Sequence, residues 1–209
     1  MEIRLPQQAR SRDAWDRVLT VGASLIAENG LGSFTIGEIC RRAKVAPRFI
    51  YDRVNDKETL FLACYQKGLQ EVLEVHREFA DSKLNPTSTA ADRVAFAVHE
   101  VGKSFVVGNQ FLKHVVLISA TNSHIYERGA ASKNALALIF QEFLLPIHSQ
   151  VAHSNANEAI QFCFDVIFDA WVIRVAYGPT FSAEQKTDFE FAESLQDLAV
   201  RYLLAGSES

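Results

Sequence analysis

The sequence predicts an all-α protein, with an N-terminal three-helix helix-turn-helix head followed by a C-terminal helical bundle that forms a homodimer through its last two helices. Three observations carry this. Apolar residues recur at helical spacing along the chain, with no sustained two-residue alternation and no Asn-Gly hairpin. In "RRAKVAPRFIYDRVNDKETL", Pro47 stands where a short helix can begin, a few residues after another ends. The last two helical segments carry large apolar residues on an acidic body.

The first helix is expected over 12–29, with Trp15, Val18, Leu19, Gly22, Leu25 and Ile26 on one stripe, and Asn29-Gly30 ends it. In the second, Thr35 and Glu38 have capping-box spacing, and Phe34 with Ile39 are spaced as a hydrophobic staple. It ends near Ala43. Pro47 suits the first turn of a third helix, where its missing N–H costs nothing. Two short helices held by a longer apolar one make a helix-turn-helix.

A fourth helix is expected over 56–81, with Leu60, Ala63, Cys64, Lys67, Val72 and Val75 inward, before the polar linker "SKLNPTSTA". Further helices follow over 92–107, 109–125, 132–151, 157–177 and 182–205. The last would open on the capping pattern Ser182-x-x-Gln185. Val115 to Ile118 are apolar on every side, which predicts a surrounded helix, and Pro146 should kink or end the helix that contains it.

Hydrophobic residues make up 48% and charged residues 22%, a globular composition. The formal charge of −4 is uneven. Residues 1–60 hold ten Lys/Arg against eight Asp/Glu, and the remainder eleven against seventeen, so only the first part suits a polyanion. The N-terminus has no apolar signal region, and Asp165, Asp169 and Arg174 interrupt the most apolar stretch. A cytoplasmic protein with no membrane partner is expected. Cys40, Cys64 and Cys163 are far apart, as suits reduced, buried thiols.

A recognition helix sets its first side chains against base edges. Arg48 can bond guanine O6 and N7 together, and Phe49 can meet a thymine methyl. Tyr51 and Lys57 suit phosphates. Lys57 stands in a first helical turn, where a cation opposes the helix dipole by a few tenths to roughly 1 kcal/mol. Thr35 adds a hydroxyl, and Arg42, Lys44, Ala46 and Pro47 complete the candidate DNA-binding surface.

The stretch "AENGLGSFTIGEICRRAKVAPRFIYDRVNDKETLF" resembles the N-terminal DNA-binding domain of the tetracycline-repressor (TetR) family, through Gly30, Phe34-Thr35, Ile39, Ala43, Val45, Ile50-Tyr51, Lys57 and Leu60. The likeness implies a DNA-binding domain over 1–58 and a ligand-binding and dimerisation domain over 59–209. It departs from the family at Lys44, usually glycine, and at Ala46, often serine. Arg48, Phe49 and Val54 also replace the usual residue types, so the operator cannot be carried over.

Phe105, Phe111, His114, Asn122, Tyr126 and Trp171 are candidate ligand-binding residues, being large apolar surfaces with a few polar tips. Phe162, Val166, Ile173 and Tyr177, then Leu195, Leu198 and Tyr202, are the candidate dimer interface. With no HxxxH or HExxH spacing, no phosphate loop and no nucleophile–base pair, neither a metal, a cofactor nor an enzyme is expected. The reading is a DNA-binding transcriptional regulator, a repressor released from a palindromic operator by a small hydrophobic or amphipathic effector. Its rivals are an all-α small-molecule-binding protein and an architectural DNA binder without effector control.

Overall fold

The computed structural model describes residues 8–85, 87–181 and 185–205. The α-helices are α1 (Ala9–Asn29), α2 (Ile36–Ala43), α3 (Pro47–Tyr51), α4 (Lys57–Gly68), α5 (Gln70–Asp81), α6 (Ala90–Val107), α7 (Asn109–Ser119), α8 (Ser123–Leu144), α9 (Ala156–Tyr177) and α10 (Asp188–Leu204). No strand occurs among the described residues. They form two compact units. The first runs to Glu71 and takes in Gln110–Thr121; the second comprises Val72–Asn109 and the residues from Asn122 onward.

In the first unit, α1 buries Trp15, Val18, Gly22, Leu25 and Ile26, the residues of its predicted stripe, while Leu19 is half-buried. A Cβ on Gly22 would lie 2.2 Å from Cys64 Sγ, so glycine is what lets α1 and α4 approach so closely. Lys67 of α4 also reaches back to Asp16, at 2.8 Å. These contacts explain why the unit runs past residue 58. α7 belongs to it as well: the Phe111 ring lies 2.4 Å from where a Gly68 Cβ would be.

The second unit is built on α6, which packs against α8, α9 and α10. Its core holds Val94, Val98, Val101, Phe140, Phe164, Ile167, Ala199 and Leu203. Lys133 of α8 bridges Asp165 and Asp169 of α9, at 3.0 Å each. Arg174, although buried, donates to Asp188 at 2.7 Å and to the Lys186 carbonyl, and so ties the end of α9 to the start of α10. No helix among the described residues is long and apolar enough to cross a membrane.

Several boundaries differ from expectation. The helix expected over 56–81 is two, parted between Gly68 and Gln70, where glycine weakens the ladder. The helix expected over 109–125 stops at Ser119, because the Asn122 side chain accepts from the Ile125 N–H and starts α8 there. α8 ends at Leu144 and a 3-10 turn carries Pro146, as an interrupting proline demands. The expected cap Ser182 lies outside the described residues; α10 instead begins at Asp188, in a capping box between Thr187 and Glu190. Within 115–118, Leu117 is exposed, so α7 is covered on one side only.

Candidate nucleic-acid interface

Local sequence sets the reading segment. The Thr35 hydroxyl accepts from the Glu38 N–H at 3.2 Å, half of the predicted capping box. The other half is missing because the Glu38 carboxylate is taken by Arg41 and Arg42. Those hydrogen bonds hold its pKa down to about 2. At the end of α2, Lys44 adopts φ 56° and donates its N–H to the Cys40 carbonyl, closing the helix in the left-handed form usually left to glycine. Ala46 offers α3 no side-chain cap, and Pro47 fills the first turn.

The nine expected DNA-binding residues all fall in the first unit, but they are not equally available. The Arg48 side chain is 90% exposed and comes no nearer than 3.9 Å to Asp52, so its fork can turn toward a base. Tyr51 and Lys57 are exposed, and Asp56 caps the helix that Lys57 opens. Arg42 is different. It bonds Glu28 at 2.7 Å and Glu38 at 2.6 Å, which raise its pKa further and neutralise it locally. A phosphate would have to displace two carboxylates to use it.

Phe49 is half-buried, and the Arg53 guanidinium carbon stands 3.6 Å from its ring centroid. Arg53, in the turn just after α3, escaped the sequence reading, although an arginine four residues after an aromatic is a legible signal. Glu28 also escaped it, because its pairing with Arg42 depends on how α1 meets α2, and Glu38, expected to complete a capping box, pairs with Arg41 and Arg42 instead.

The strain at Lys44 makes a separable prediction. Lys44→Gly should raise the melting stability by about 0.5–1 kcal/mol, the left-handed cost less the extra freedom glycine has when unfolded. If Lys44 meets DNA, the same change should weaken duplex binding. Thermal melts and titrations of the one variant would test both.

The six expected ligand-binding residues are divided between the two units. Phe111 and His114 lie in the first unit, and the other four in the second. Phe105 and Trp171 are stacked in the core with ring centroids 6.0 Å apart. The Asn122 side chain is spent on capping α8, and Tyr126 is exposed. In the second unit an open cavity of about 360 Å³ is lined by Asp169, Ala170, Ile173, Arg174, Gly178, Phe181 and Phe191. None of the six lines it.

Of the expected interface residues, Phe162, Ile173, Tyr177 and Leu198 are exposed apolar side chains on α9 and α10. Val166 is half-buried, and Tyr202 packs on Phe162 at 5.7 Å. Leu195 is buried within its own chain and is a core residue of the second unit. The thiols of Cys64 and Cys163 are pushed up to about 12 by burial, and that of Cys40 is also raised, so all three stay protonated and unreactive at neutral pH.

Residues 18–64 match the family model of bacterial regulatory proteins, tetR family. No curated protein matches the chain. Among solved structures, it is similar to a tetR-family bacterial regulatory protein from Rhodococcus RHA1, at 18% identity and TM-score 0.66, over 91% of this chain and 97% of that one. GusR of Salmonella enterica aligns at 14% identity and TM-score 0.63, covering 95% and 99%. The transcriptional regulator FadR of Bacillus subtilis, solved with stearoyl-CoA, aligns at 16% and 0.63, covering 90% and 99%. At these identities the structural likeness establishes the fold.

Proposed function

We propose that this chain, a tetR-family protein by the sequence of its head and by its fold, is a cytoplasmic transcription factor that binds a palindromic duplex as a homodimer. In this reading residues 1–58 read DNA, and residues 59–209 pair the subunits and receive a small hydrophobic or amphipathic effector that releases the repressor from its operator. The observation that carries the DNA reading is Arg48. It is the second residue of α3, nearly fully exposed, and not committed to a close ion pair. The effector reading draws on the fold shared with a regulator that was solved with stearoyl-CoA.

Arg48 and Lys57 should respond differently to removal. Arg48→Ala should cost roughly 1–3 kcal/mol at one operator position and flatten the preference there. Lys57→Ala should weaken binding to all duplexes alike and lower the salt slope by about one charge. Titrations of each variant against the operator and its single-base substitutions, at several salt concentrations, test the assignment. A uniform loss on Arg48→Ala with base preferences intact would make Arg48 a phosphate clamp. Binding with no salt dependence in the wild type would remove the DNA reading and leave a small-molecule-binding protein.

A further inference from the structure

α3 has only five residues, too few to sustain a helix alone. Its last turn is also incomplete. The Arg53 N–H donates to the Ile50 carbonyl at 2.9 Å and not to that of Phe49. The Phe49 carbonyl is taken instead by Nη1 of the Arg53 side chain. Nη2 of the same guanidinium donates to the Ser11 hydroxyl in the first turn of α1, at 2.6 Å, and the guanidinium plane covers the Phe49 ring. One side chain thus holds the backbone and the ring of Phe49 and anchors both to α1.

We propose that Arg53 is a positioning residue that presets Phe49 for the DNA groove and thereby sets part of the base preference. This rests on the DNA-binding reading above. The alternative role, a phosphate contact, fits the geometry poorly. Both terminal nitrogens already donate within the protein, and Nε is buried out of reach of solvent. A planar fork can stack on a ring while it donates to two acceptors, which a lysine ammonium cannot do. Arg53→Lys therefore keeps the charge and loses the arrangement.

The test begins with a duplex selected by the wild-type chain from a randomised library. Phe49→Ala, Arg53→Lys, Arg53→Ala and the Phe49→Ala/Arg53→Ala double variant are then titrated against that duplex and its single-base substitutions over a salt series, and helical content is checked by circular dichroism. Arg53→Lys should retain the wild-type salt slope and lose at least fivefold of the discrimination, at the same base positions that Phe49→Ala affects. Arg53→Ala should change affinity less than twofold when Phe49 is already alanine. The proposal is overturned if Arg53→Lys discriminates as the wild type does. It is equally overturned if Arg53→Ala lowers the salt slope by about one charge and weakens binding as much in the Phe49→Ala background. If the wild type enriches no duplex at all, the DNA-binding reading falls, and this inference with it.

Discussion

Leu198→Glu should leave a folded monomer that no longer holds a palindromic duplex. Leu198 is 46% exposed on α10, so the substitution removes little from the chain's own core, unlike any change at the buried Leu195. Ile173 and Tyr177 present further apolar surface on α9. If these helices pair across a two-fold axis, every substitution appears twice, and each new carboxylate is carried into a surface that offers no planned partner. A loss of roughly 3 kcal/mol would already weaken the dimer more than a hundredfold. Operator binding should fall with it, because two linked reading heads gain from each other's occupancy and a single head does not. Sedimentation and duplex titration on the same variant check both halves. An unchanged dimer would show that this face of α10 is not the interface.

The head was legible because its signals are local. Thr35 caps α2, Pro47 starts α3 and Gly30 ends α1, and each is decided by residues within one or two turns. The strained backbone at Lys44 could also be anticipated from the glycine the family usually has there. The side chains of the candidate ligand set were harder to place, for the opposite reason. Whether an aromatic residue lines a cavity, fills a core or faces water depends on partners far along the chain: Phe111 lies against Gly68, and Trp171 against Gly102. Nothing within a few residues of Phe111 or Trp171 announces those contacts. The exposed apolar faces of α9 and α10 were half legible. Leu195 and Leu198 lie only about 60° apart around a helix, yet one is core and the other is exposed. A small error in helical phase exchanges their roles.

Gly22→Ala should destabilise the first unit strongly while leaving the second intact. The site gains a methyl group that would lie 2.2 Å from Cys64 Sγ, 3.0 Å from Cys64 Cβ and 3.3 Å from the Phe34 ring. Cys64 and Phe34 are both fully buried, so neither side chain has free space into which to swing. The backbones of α1 and α4 would have to part. Overpacking of this kind costs about 1–3 kcal/mol, and only part of that returns through the better helix propensity of alanine, worth roughly 0.5–1 kcal/mol. Gly22→Val, with two further methyl groups, should exceed it. The cause can be tested by rescue. Cys64→Ala deletes the clashing sulfur and leaves the nearest contact near 3.0 Å, so the Gly22→Ala/Cys64→Ala double variant should be less destabilised than the sum of the two single changes. Denaturant melts of the four proteins give that coupling directly, and duplex titrations show whether reading is lost in step with the first unit while self-association persists. Additive destabilisation would mean that α1 and α4 do not meet at Gly22 as closely as the structure places them.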